Sequence, residues 1–115
     1  MKKVALFAFN GDLMCFIHAL LNALEMKDKG YDARIIIEGS ATKLIPELSR
    51  QDSSFYPLYA RAKDAGVIDG VCKACSNKMG TIEAAKSEGL PLLGHMSGHP
   101  SMSRYIDQGC QIISF

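Results

Sequence analysis

The sequence predicts an α/β fold: three layers, α/β/α, around a five-stranded, mainly parallel sheet. Three observations carry that prediction. Short apolar runs alternate with segments of helical periodicity along all 115 residues. The runs are almost continuously apolar, as strands buried on both faces are, rather than alternating. The segments between them are long enough to be the crossover helices that join parallel strands in a right-handed sense.

"KVALFAF" (3–9) is the first strand, closed by the turn Asn10-Gly11-Asp12. Leu13, Phe16, Ile17, Leu20, Leu21 and Leu24 then recur at helical spacing. Asp12 or Asn10 suits the N-cap and Gly30 the stop. "ARIIIEG" (33–39) is the second strand. Ala41, Leu44, Ile45 and Leu48 form a further helical stripe, which Pro46 restricts to a short or kinked helix. "FYPLYARAKDAG" (55–66) is a helix ended by Gly66, and "VIDGV" (67–71) a third strand weakened by Gly70. A helix over 74–88 follows, with Met79 and Ile82 inward and Gly89 as its stop. "LPLLG" (90–94) is the fourth strand, "PSMSRYIDQG" a short helix, and "CQIISF" (110–115) the fifth strand. No repeat or linker interrupts the pattern, so residues 1–115 are expected to form one domain.

With 48% hydrophobic and 22% charged residues, the composition is that of a folded globular chain rather than a disordered one. A net charge of +1 with no basic block, together with few aromatics, argues against nucleic acid as a partner. No apolar run approaches the ~20 residues of a membrane span. The opening Met-Lys-Lys and its apolar run lack a cleavage pattern before Asn10-Gly11-Asp12 interrupts them. A cytoplasmic location is therefore expected.

Parallel sheets of this kind bind ligands at the carboxyl ends of their strands. The turns there contain Asn10 and Gly11; Gly39; Cys72, Lys73 and Cys75; and His95, Ser97 and His99. Cys72 falls where strand passes into helix, a position where backbone N–H groups favour a thiolate and Lys73 adds positive charge. Cys75 lies about one helical turn further on, the spacing of dithiol exchange. Val71 precedes the pair where a thioredoxin has an aromatic. The residue types support a second reading equally, in which Cys72 ends its strand as a small packing residue. The four cysteines are too sparse for a secreted disulfide scaffold, and Cys15 and Cys110 are expected to pack as small apolar groups.

Cys72-x2-Cys75 and His95-x3-His99 also have the ligand types and end spacings of a zinc site. The 19 residues between Cys75 and His95 exceed a zinc finger's and read as a helix plus a strand. Histidines in a glycine-bearing loop also hydrogen-bond or touch substrates, so that choice stays open. "FNGD" matches no phosphate-binding glycine motif. His18 is expected at the surface of the first helix. No cofactor is expected.

From "VCKACSNKMG" outward the chain resembles the DsrE/DsrF-like sulfur-relay family, which includes TusD-type and YchN-like proteins. Cys72 takes the family's cysteine position at the end of the third strand; Lys78 falls in its basic stretch and Gly80 matches its glycine. The opening strand, "EGSATKLIPEL" and the closing "GCQIISF" extend the likeness over nearly the whole chain. The resemblance implies a small α/β/α homo-oligomer, a trimer or hexamer, in which Cys72 carries sulfur as a persulfide between donor and acceptor proteins. Cys75 departs from the single-cysteine relay pattern and would assist or resolve the persulfide. The competing expectation is a non-enzymatic oligomeric module that holds a metal or small ligand with Cys72, Cys75, His95 and His99. A third is a structural subunit whose cysteines only pack.

Overall fold

A computed structural model describes residues 1–115. Five strands, β1 (Lys3–Ala8), β2 (Asp32–Ile37), β3 (Ile68–Cys72), β4 (Leu92–Leu93) and β5 (Gln111–Ser114), form one sheet in the order β4-β3-β2-β1-β5. Every pairing is parallel, with Leu6 opposite Ile35 and Ile113, and Cys72 opposite Leu93. The helices are α1 (Leu13–Asp28), α2 (Ile45–Leu48), α3 (Tyr56–Asp64), α4 (Lys73–Lys78), α5 (Ile82–Ser87) and α6 (Met102–Asp107), with a 3-10 helix at Gly39–Leu44. The three-layer α/β/α architecture is thus present. No helix is long and apolar enough to cross a membrane.

The strand order makes the outer layers unequal. From β1 to β4 the chain steps in one direction across the sheet, and right-handed crossovers then put the connecting helices on one face. Only the step from β4 back to β5 places a helix on the other. Accordingly 23 buried apolar residues, among them Leu6, Leu20, Ile35, Ile45, Tyr59 and Val71, form the core beneath α1 to α5. Ala5, Phe7, Ile36, Tyr105 and Cys110 form a small cluster beneath α6. Tyr105 anchors that thin side: its ring meets Phe7 edge-on at 5.5 Å and its hydroxyl donates to Asp69.

Several boundaries differ from the sequence pattern. The helix expected over 74–88 is two helices. Gly80 adopts φ +72, Gly80 N–H donates to Asn77 O and Thr81 N–H to Ser76 O at 2.8 Å. This is a Schellman ending, which needs a left-handed residue after the last turn. Met79, expected inward, is left exposed by that break, and Leu21 faces solvent from the edge of the α1 stripe. Helix α1 begins as expected, with the Asp12 carboxylate accepting Met14 N–H. Pro46 sits in the first turn of a four-residue helix, so the short element is real. The fourth strand contracts to two residues. Gly70 is not a weak point: a Cβ there would lie 2.7 Å from Pro91 O, and its absence lets β4 approach β3.

Candidate functional site

The apolar run of β3 delivers Cys72 to the carboxyl edge of the sheet, where it becomes the N-cap of α4 with extended backbone. Its sulfur does what a serine or aspartate oxygen does at such positions and accepts a backbone N–H, that of Cys75 at 3.3 Å. Cys72 is 0% exposed. Cys75, on the first turn of α4, is half-buried.

The partner of both thiols arrives from the loop after β4. Met96 and His99 exchange backbone hydrogen bonds at 2.8 and 2.9 Å, and the two residues between them, Ser97 and Gly98, have φ of +50 and +88. Positive φ at both central positions is the two-residue turn whose twist reverses a chain most tightly. Gly98 is obligatory for a second reason: a Cβ would stand 3.2 Å from that of Ala74. Its carbonyl accepts Ala74 N–H at 2.9 Å, docking the turn on the start of α4, and lies 3.7 Å from Cys72 Sγ. So docked, the turn places His99 Nδ1 at 3.1 Å from Cys72 Sγ and 3.7 Å from Cys75 Sγ.

Burial decides the electrostatics. It pushes the Cys72 thiol up to about 12, with the hydrogen bond and charge of Cys75 and the charge of Glu38 acting in the same direction. The N–H of Cys75 opposes the shift and loses. A resting thiolate, expected from the strand-to-helix position, is therefore not what the fold supports, because α4 has only six residues of aligned dipole to set against complete desolvation. The imidazole beside the thiol provides the alternative route to a nucleophile, a local acceptor for its proton.

Glu38, at the end of β2, falls in the turn Glu38-Gly39-Ser40 after the second strand, but the sequence pattern assigns it no role. Only 7% exposed and without a hydrogen bond from its carboxyl, it is pushed up to about 7 by burial. The available signal was one carboxylate directly after the apolar run Ile35-Ile36-Ile37. It borders a largely apolar cavity of about 340 Å³ with Phe9, Met96, Pro100 and Met102.

The other residues expected at this edge divide into two groups. Lys73 and His95 line an open cleft of about 770 Å³ with Asn77, Gly94 and Gly98; it adjoins the thiol cluster, none of whose three donors lines it. Ser97 is exposed at the turn. His95 is not among the three converging donors, so of the two histidines only His99 joins the cysteines. Asn10, Gly11 and Gly39 clasp the turn after β1 to that after β2. Gly11 N–H donates to Ser40 Oγ at 2.9 Å, Asn10 Oδ1 accepts Asp12 N–H, and Gly39 at φ +55 passes within 3.0 Å of Phe9 O, measured from the place of a Cβ. Away from the edge, Cys110 is buried in the cluster under α6, Cys15 is half-buried on α1 and His18 is exposed.

Among known sequences, Uncharacterized protein MJ0733 of Methanocaldococcus jannaschii is 34% identical over 97 residues, 84% of this chain and 77% of its own length. The chain belongs to the MJ0733 family. An uncharacterized protein of Archaeoglobus fulgidus is 54% identical over 41 residues, 36% of this chain and 67% of that one. No protein-family model matches the sequence. The conserved protein of unknown function BT1422 from Bacteroides thetaiotaomicron has a similar structure, with a TM-score of 0.76 over 99% of this chain and 95% of that one. At 19% identity, that likeness establishes for this MJ0733-family chain the fold alone.

Proposed function

We propose that the chain is a small cytoplasmic sulfur carrier of the DsrE/DsrF-like kind, in which Cys72 accepts sulfane sulfur as a persulfide. The observation that carries the reading is the 3.1 Å approach of His99 Nδ1 to a buried thiol whose dithiol partner, Cys75, lies on the solvent side. His99 takes the Cys72 proton. The thiolate then attacks the outer sulfur of a donor persulfide, forming a Cys72 S–S bond as the donor's S–S bond breaks and its thiolate leaves. A thiolate at Cys75 can next attack Cys72 Sγ, which forms a Cys72–Cys75 disulfide and expels hydrosulfide. A cellular thiol reductant resets the pair.

The enclosure of Cys72 favours storage over leakage, since water and oxidants are kept from the carried sulfur. A donor approaches from the Cys75 side, and the exposed Met96–Gly98 turn must give way as sulfur passes. Lys73 and His95 in the adjoining cleft suit an anionic donor. Partners of this reading are a sulfur donor protein, an acceptor protein and further copies of the chain in a trimer or hexamer. Exposed Phe9, Met96 and Met102 beside the cluster are consistent with such contacts.

The test is peptide mass spectrometry after reduced protein meets inorganic polysulfide. One added sulfur on Cys72, retained in Cys75→Ser and lost in Cys72→Ser, supports the reading. No added sulfur on Cys72 with polysulfide or a protein persulfide donor refutes it.

A further inference from the structure

We infer that Cys72, Cys75 and His99 form a three-ligand site for a thiophilic cation, Zn²⁺, with a fourth position left to water or an exogenous ligand. The inference stands apart from sulfur carriage, although the two uses exclude each other at any moment because they need the same sulfurs.

Four observations carry it. The three donor atoms lie within 4.8 Å of one another. A tetrahedral zinc with ordinary bond lengths spaces sulfur from nitrogen by about 3.6 Å and sulfur from sulfur by about 3.8 Å. The 3.1 and 3.7 Å from His99 Nδ1 bracket the first value, so both sulfur–nitrogen spacings are already close to those around a bound ion. The donors come from two segments joined by a specific backbone lock, the docking of Gly98 O on Ala74 N–H, rather than from one mobile loop. Finally, Cys75 N–H already points at Cys72 Sγ, the outer-shell hydrogen bond that a metal-bound thiolate uses to spread its charge.

The chemistry of the set selects the ion. Two thiolates and an imidazole are soft-to-borderline donors that suit Zn²⁺ and reject Mg²⁺ or Ca²⁺. Two thiolates also neutralise a divalent cation, which removes the cost of an isolated charge at fully buried Cys72. Binding expels the thiol protons to solvent as the two metal–sulfur bonds form. Three protein ligands with an open position is the arrangement of zinc sites that bind or polarise a further molecule, not of closed structural ones.

The experiment uses the reduced 115-residue chain, titrated with Zn²⁺ against a chromophoric chelator and in parallel with Co²⁺ as a spectroscopic probe. One equivalent should bind, with thiolate-to-cobalt charge transfer and tetrahedral d–d bands. Cys75→Ser, a near-isosteric change at a half-exposed site that leaves the core intact, should weaken binding at least about 100-fold, more than loss of an outer-shell partner costs. His99→Ala should do the same, whereas His95→Ala should change nothing. Absence of stoichiometric binding overturns the inference, and so does affinity that survives His99→Ala or falls with His95→Ala. Either failure leaves persulfide formation on Cys72 to be judged by its own mass measurement.

Discussion

Replacing Glu38 by glutamine removes an acid that the fold holds protonated well above its ordinary range. Burial at the end of β2 moves its pKa from 4.5 to about 7. A raised acid binds its proton more tightly in the folded chain than in the unfolded one. Below the ordinary value both states are protonated and the residue costs nothing. As pH climbs through 4.5 toward 7 the unfolded state ionises first, and stability falls until the folded carboxyl ionises too. The shift corresponds to a loss of at most ~3 kcal/mol, less whatever water in the adjoining cavity recovers. Glu38→Gln has no charge to desolvate. Its unfolding free energy relative to wild type should therefore grow by ~2–3 kcal/mol between about pH 4 and pH 8. Urea unfolding followed by far-ultraviolet circular dichroism, in reductant at a series of pH values, measures this. A difference that stays constant with pH, or a variant that loses ground at high pH, would refute the reasoning.

Three other outcomes follow from the same geometry. Alkylation of the native protein should modify half-buried Cys75 well before sealed Cys72, and unfolding should abolish the gap; peptide mapping reads both. Gly98→Ala forces a side chain into φ +88 and against Ala74, so it should cost ~1–2 kcal/mol and speed Cys72 alkylation as the turn lifts. Tyr105→Phe leaves Asp69 without its hydroxyl donor under the thin α6 layer and should lower stability by ~1–3 kcal/mol in denaturant melts, leaving the alkylation order unchanged.

How far the sequence revealed this molecule depends on the range of the forces involved. β1 and β2 were plain because "KVALFAF" and "ARIIIEG" are buried on both faces, so burial is written into consecutive residues. The break at Gly80 was not, because inward spacing runs on through Met79 and Ile82, and one left-handed residue with two hydrogen bonds overrides it. Cys72 and Cys75 stood out by their spacing at a strand end. The choice of His99 over His95 did not, since both share one loop and only the Ser97–Gly98 turn decides which imidazole meets the sulfurs. The raised pKa values of Cys72 and Glu38 were also hidden. Both arise chiefly from burial at the sheet edge, a consequence of how distant segments fold together that no local pattern encodes.

The most direct test of the thiol–imidazole pair is the rate at which polysulfide loads one sulfur onto Cys72 in a single turnover at neutral pH, with and without His99. A positioned base contributes ~10²–10⁴-fold, so His99→Ala should slow loading by at least ~10²-fold, while His18→Ala, an exposed position on α1 away from the site, loads at the wild-type rate. Equal loading rates in wild type and His99→Ala would show that the 3.1 Å contact has no part in activating Cys72.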